Sequence, residues 1–422
     1  MKVKSTALLV LSVVAGSAMA QQGVTSPQRD TRPTGFRFFN NHLTIKPYVS
    51  LDYTYDSNID TRRHADSDSI FAVMPGADFI WHGEKWALTG GLWYRYRYYC
   101  DFNDQMGENS YGENLAFEYS SSAKNEKGWS LMLSERYGFY NQSDDLSSRD
   151  GRGIWRDRET IDVSAVVERR FTERWHANLT GQYTMIDYKN ETGNYIPLYG
   201  WSQYSAGAQI GYAATKWTDL LVSAGYSRYT QKTSSIGMPL SRNYDTNSDS
   251  YSIQAGIGSH MTELITYRAL MGASWFDYGN SGVTDCGWTY SLTANWRIHR
   301  QVQLSLLGSS YYQPSERYVG QALKVYTLGA GISYLTLGDR LKLTANLSWR
   351  YEDNAFSDAY YTRRQNYDEA WLSARLGADY LLNRWMSVFA NIIWDEEWVG
   401  DGGNSDYDYN RFRGTIGVRF HY

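Results

Sequence analysis

The chain has 422 residues, of which 42% are hydrophobic and 20% charged, with a formal net charge of -4. Its mean hydropathy is -0.54. It carries 37 Tyr, 16 Trp and 37 Gly but only 7 Pro, and beyond residue 20 no apolar run is long enough to cross a bilayer as a helix, so a helical membrane protein is excluded. Disorder is excluded too, because disordered chains lack the aromatic and β-branched residues abundant here, and the acidic balance argues against nucleic acid as a partner.

In chain order, residues 1–20 read as an export signal. Lys2 and Lys4 precede an apolar stretch from Ala7 to Gly16, and Ala18-Met19-Ala20 offers a small-residue cleavage site before Gln21. Removing two lysines takes the charge to about -6. Residues 21–42 form an expected periplasmic segment, far short of a folded plug, and residues 43–422 an all-β domain. Cys100 and Cys286 are too few to staple a fold and are expected to be unpaired.

From residue 43 onward the dominant signal is period-two alternation, which sends successive side chains to opposite faces of a strand. Leu341, Leu343, Ala345, Leu347, Trp349 and Tyr351 alternate with Lys342, Thr344, Asn346, Ser348, Arg350 and Glu352. The same split recurs over 175–185 and 288–299. Segments of twelve to sixteen residues exceed ordinary sandwich strands and fit a tilted crossing of a bilayer, with aromatics at the two head-group layers. Trp86, Trp129, Trp175, Trp217, Trp288 and Trp385 are expected in the girdle next to the short turns.

Eight short connections alternate with nine longer polar ones. Short periplasmic turns and long external loops then predict a transmembrane antiparallel up-and-down β-barrel of about 18 strands, with 16 as the alternative and both termini periplasmic. Such a barrel has a backbone diameter of about 35 Å. Its expected location is the outer membrane, among lipid and lipopolysaccharide.

Two resemblances sharpen this reading. The last residues, RFRGTIGVRFHY, alternate and end on an aromatic, which resembles the C-terminal signal of Gram-negative outer-membrane proteins. It implies recognition of Phe420 and Tyr422 by the barrel assembly machinery. Pro47 within KPYVSLDYTYDSNID, Pro75 within SIFAVMPGADFIW, and the turn residues Tyr55, Asp56, Asn58 and Ile59 resemble the opening of the second-type β-barrel porin family of Gram-negative bacteria. That resemblance implies an outer-membrane pore, in some members associated with polysaccharide handling. Each proline removes a ladder donor, so a bulge is expected near the closure hairpin.

The alternation puts Lys46, Arg95, Arg97, Arg136, Arg297, Lys342, Arg350, Arg375, Arg413 and Arg419 inside, with Asp52, Glu118 and Asp379 among the inward acids. Charged rings set pore selectivity, and this set would draw anionic solutes. The alternative is that arginines and carboxylates pair across the wall. Inward Tyr48, Trp93 and Tyr99 offer stacking surfaces for sugar rings. Six of the seven histidines fall at periplasmic strand ends, and only His42 and His421 are expected to be neighbours. No hydrolase, zinc-protease or phosphate-loop motif is present, so no enzymatic activity and no cofactor or metal is expected. Passive passage of polar or anionic small solutes or oligosaccharides is the leading expectation. Polysaccharide export with periplasmic partners and a non-conducting adhesive barrel are its rivals, and a homotrimer stands at even odds with a monomer.

Overall fold

A computed structural model describes residues 35–59, 66–101, 109–121, 128–140, 157–188, 200–231, 247–259, 264–278, 283–314, 322–356, 368–400 and 408–422. The predicted signal segment lies outside them. A short β1 (Phe36–Phe38) precedes eighteen long strands. The first half comprises β2 (Leu43–Asp56), β3 (Asp68–His82), β4 (Trp86–Tyr99), β5 (Asn109–Ser120), β6 (Gly128–Tyr140), β7 (Arg158–Arg170), β8 (Trp175–Tyr188), β9 (Trp201–Ala213) and β10 (Asp219–Gln231). The second half comprises β11 (Asn247–Ser259), β12 (Ile265–Tyr278), β13 (Val283–His299), β14 (Val302–Pro314), β15 (Ala322–Thr336), β16 (Leu341–Phe356), β17 (Glu369–Asn383), β18 (Met386–Val399) and β19 (Tyr409–His421).

Each long strand pairs antiparallel with the next, and β19 pairs with β2 from Arg413↔Asp56 to His421↔Tyr48, so the sheet closes on itself. Closure leaves no open edge, which a strand structure in hydrocarbon requires because no water is present to satisfy a free ladder. The faces follow the alternation. On β2, Val49 and Leu51 are exposed outward while Ser50 is buried inward; on β4, Leu92, Tyr94, Tyr96 and Tyr98 face out and Arg97 and Tyr99 face in. Among the described residues the buried apolar clusters are small, whereas large apolar side chains from nearly every strand are exposed on the outer surface, the arrangement of a membrane-spanning barrel. Glu135 on β6 is also exposed on that surface, two residues from Tyr137, and no contact in the structure accounts for it.

The seam between first and last strands is reinforced at both ends. Outside, Arg411 and Asp56 are fully buried, and Arg411 Nε donates to both carboxylate oxygens at 3.0 Å. Asn58 donates its backbone N–H to Asp56 Oδ1 at 3.1 Å and its side-chain amide to the Asn410 carbonyl at 3.0 Å. Ile59 packs with Ile70 and Tyr99. The aspartate–asparagine–isoleucine turn therefore locks the closing strand to the opening one. At the periplasmic rim, β1 folds back on β2 (Phe36↔Ile45, Phe38↔Leu43) through a turn whose Phe39, Asn40 and Asn41 have positive φ of 53°, 55° and 71°, a conformation asparagine tolerates better than most residues. This short strand occupies the position beyond the end of β19. The Phe36 ring stacks on Tyr422 at 4.2 Å and Trp385 lies 5.2 Å from the same ring.

Four expectations are corrected by these details. No bulge accommodates the prolines. Tyr422 N donates to the Pro47 carbonyl at 3.1 Å, so the donor that Pro47 lacks falls at the junction between β19 and β1; around Pro75 the β3–β4 ladder skips Met74 and Pro75 and resumes in the same register. His42 meets His82, ring centroids 5.7 Å apart, rather than His421, because β2 begins beyond the end of β19 and β1 fills the gap. Trp288 belongs to the external half of β13, which descends from an external loop, and not to the periplasmic girdle that holds Trp86, Trp129 and Trp175. The 21–42 segment is not wholly separate from the barrel, since β1 joins its wall.

Between β10 and β14 the wall bends sharply enough for alternate strands to approach one another. Inward-facing Gly256 on β11 and Gly272 on β12 allow this: a Cβ at either would collide with the carbonyl of Ala269 or Ile253 across the ladder. Gly272→Val should abolish the heat-modifiable folded band on refolding in detergent. Removing one partner of the buried seam pair, as in Asp56→Ala or Arg411→Ala, should lower stability by about 3–5 kcal/mol. Urea midpoints measured in detergent check this, with Asp56→Ala/Arg411→Met less damaged than either single change.

Candidate functional site: the lumen and its inturned hairpin

The lumenal face divides into two unlike halves. Charges concentrate on β2–β4 and β16–β19, and there most cations meet an acid. Arg95 donates to Asp52 at 2.9 Å, Arg350 Nε to Glu352 at 2.7 Å and Arg413 to Asp395 at 3.2 Å. Lys46 stands opposite Asp78 in register, Lys342 opposite Asp379 and, on β6–β7, Arg136 opposite Asp162. Arg97 is buried in the wall and donates to Ser110 at 3.3 Å. Arg419 lies 5.9 Å from the Tyr48 ring and 5.4 Å from Phe389; Arg375 faces in with Nε 3.5 Å from Ser373 Oγ. Glu118 and Arg297 are exposed near the periplasmic rim. The structure therefore brings most of the expected lining residues into compensated pairs instead of one cationic ring. Arg411 and Asp56, which anchor the seam, were not among the expected lumenal charges.

The other half, β8–β13, is nearly free of charge between Asp219, Arg268 and Arg297 at the periplasmic side and Asp285 at the external side. Its inward residues are mostly hydroxyls and amides, with Leu221 and Leu270 toward the periplasmic side. One register row runs through Ser134, Ser164, Gln182, Ser205, Ser227 and Ser250 on six consecutive strands. Another runs through Asn178, Gln209, Ser223, Gln254, Gly272 and Thr289. Side chains bond along these rows: Ser134 to Ser164 at 2.6 Å, Ser227 to Ser205 at 3.1 Å, and Gln254 Nε2 to Thr289 Oγ1 at 3.2 Å over the bare Gly272.

Above this belt, β14 parts from β13 while β15 stays paired with β16 out to Ala322↔Phe356. The β13–β14 ladder ends at Ser291↔Ser309 although β13 continues outward to Val283. From there β14 turns into the lumen. Tyr229, on the inner face of β10, donates its hydroxyl to the Tyr312 carbonyl at 3.1 Å. The Tyr312 ring lies 5.5 Å from Phe276 of β12, and its hydroxyl donates to Asp285 at 2.7 Å. Lys324 of β15 sits 3.8 Å over the Tyr312 ring and donates to Ser274 at 2.9 Å. Ile186, Tyr188 and Trp201 complete a buried cluster with these rings. The external loop expected at 314–320 is thus carried by a hairpin whose β14 arm reaches inward and narrows the pore; the loop's own residues 315–321 lie outside the described set.

Sequence reasoning missed this constriction. Its available signal was Tyr311-Tyr312-Gln313-Pro314, where alternation fails because two successive aromatics are both buried. Among the described residues no group of three or more His, Cys, Asp or Glu is placed to hold a metal, and Cys100 and Cys286 are unpaired.

No family profile matches the chain, nor does any curated protein. Solved structures resemble it distantly. The outer membrane protein opdK of Pseudomonas aeruginosa is 11% identical over 90% of this chain and 99% of its own, with a TM-score of 0.42. OmpT of Vibrio cholerae lacking loop L8 is 12% identical over 90% and 100%, with a TM-score of 0.34. The siderophore receptor PiuA of Acinetobacter baumannii is 11% identical over 90% and 82%, with a TM-score of 0.44. At such values the likeness carries no argument, and the transmembrane barrel rests on this chain's own closed ladder and apolar exterior.

If the hairpin is held by its tyrosine and lysine contacts, Tyr312→Ala should free it. Single-channel recording should then show larger or noisier open steps than the parent, while Tyr311→Phe, which keeps the ring and stays out of the latch, should leave the steps as they are.

Proposed function

We propose that the protein is a channel of the Gram-negative outer membrane through which polar solutes pass down their own gradients. One observation carries the reading: a closed wall, apolar outside, encloses an inner face of charges, hydroxyls and amides, with the outer end of β14 turned inward and anchored to Tyr229. A barrel serving only as a scaffold gains nothing from a polar belt on six consecutive strands. The porin-like opening motif agrees, although its turn residues act structurally, at the seam. The aromatic C-terminal strand supports delivery by the outer-membrane assembly machinery, with Phe420 on the outward face as the side chain such a receptor meets.

Pairing of the lumenal charges determines the selectivity. A cation whose field is cancelled by a carboxylate within 3 Å or so attracts anions weakly. Planar-bilayer recording should therefore give stable open steps with a reversal potential near zero across a tenfold potassium chloride gradient. Asp52→Asn, which strips Arg95 of its acid, should shift that potential toward anion preference. A silent bilayer containing verified, inserted, heat-modifiable protein would remove the channel reading.

A further inference from the structure

The uncharged half of the lumen has an unbalanced hydrogen-bond inventory. Gln182, Gln203, Gln209 and Gln254 all face inward, on β8, β9 and β11, and the Oε1 of each is buried and accepts no hydrogen bond. Their amide nitrogens are oriented by neighbours in three cases: Gln182 donates to Asp162 at 2.9 Å, Gln203 to Ser205 at 2.9 Å and Gln254 to Thr289 at 3.2 Å. The Asp162 carboxylate and the Thr289 hydroxyl, which spends its own hydrogen on the Ser310 carbonyl at 2.7 Å, fix which end of the amide is the acceptor in Gln182 and Gln254. What these sites lack is donors. A buried acceptor without a partner costs free energy that an incoming donor recovers.

Anions supply no donors, and Arg95, Arg350, Arg411 and Arg413 are already paired with acids. Neutral solutes rich in hydroxyl groups supply donors along their whole length. The serines interleaved with the glutamines, Ser205, Ser223 and Ser227 among them, both donate and accept and so match either polarity of a sugar hydroxyl. Trp201, two residues from Gln203 on the same face of β9, and Tyr229 are buried in the aromatic cluster that closes the external end of the strip. Resting on the channel reading above, we infer that the β8–β11 wall is a binding strip for neutral, hydroxyl-rich solutes, oligosaccharides in particular, and that the glutamine carbonyls are its specificity-determining acceptors.

The test uses the refolded full-length protein and maltoheptaose as the neutral probe, with an oligogalacturonate of the same length as the anionic one. Wild-type channels should show brief, concentration-dependent current interruptions with maltoheptaose. The same sugar should change Trp fluorescence of the detergent-refolded protein in a saturable way. Replacing Gln203 and Gln209 by Met, which keeps length and removes the acceptors, should weaken both signals about tenfold while open conductance in potassium chloride is retained. Gln203→Glu/Gln209→Glu, which keeps acceptors, should bind maltoheptaose better than the Met pair. Equal binding by wild type and the Met pair, or interruption by oligogalacturonate alone, overturns the inference and leaves the channel intact. Saturable fluorescence in a protein that never conducts overturns the channel and leaves the strip.

Discussion

Everything in this molecule depends on satisfying the backbone where no water is present. Each strand in hydrocarbon needs a partner on both sides, so the first and last strands must meet, and the pairing of β19 with β2 is the step without which the other seventeen ladders stay open. The structure spends unusual resources there. A fully buried Arg411–Asp56 pair and the Asn58 bridge hold the external end, and the β1 hairpin with the Phe36–Tyr422 stack holds the periplasmic end. A buried ion pair is a poor source of stability compared with apolar packing, but it punishes misregister severely, because a one-residue slip would leave both charges unpaired. The seam thus fixes the register from which every inward and outward face follows.

With faces fixed, function becomes a question of what the lumen offers. The charged half is largely neutral to a passing solute, since Arg95, Lys46, Arg350, Lys342 and Arg413 are matched by Asp52, Asp78, Glu352, Asp379 and Asp395. The uncharged half carries a belt of buried, inward-facing side chains with four unpartnered amide oxygens. The bend at Gly256 and Gly272 places this belt beneath the inturned end of β14, with Tyr312 and its buried aromatic neighbours on the external side of the amide rows. Fold, constriction and proposed solute preference are consequences of one curved sheet segment.

Much of this was legible in the sequence because period two is a strong code when one face meets lipid. Strand number, termini, and the inward placement of Lys46, Arg95, Arg350 and Arg413 follow from alternation and loop length alone. Pairing partners were not legible. Arg95 reaches Asp52 two strands away, and that depends on shear, which no local pattern encodes. Trp288 was misplaced because a girdle residue looks the same at either end of a strand. The end of β14 at Tyr312 departs from β13 through contacts with Tyr229, 83 residues earlier, a separation at which sequence pattern carries no information. The Asp56–Asn58 turn was recognised as a motif, but its work at the seam emerged only when Arg411 was found beside it.

The central claim is that alternate residues of one wall segment face water and lipid, and site-by-site thiol labelling on β9 tests it most directly. In a chain with Cys100 and Cys286 replaced by Ser, single cysteines placed from Gln203 to Gln209 would be challenged, in liposomes, with a charged, membrane-impermeant thiosulfonate and with a lipid-soluble maleimide. The account predicts strict alternation: positions 203, 205, 207 and 209 react with the charged reagent, and 204, 206 and 208 react only with the lipid-soluble one. Uniform labelling by the charged reagent, or alternation in the opposite phase, would contradict it.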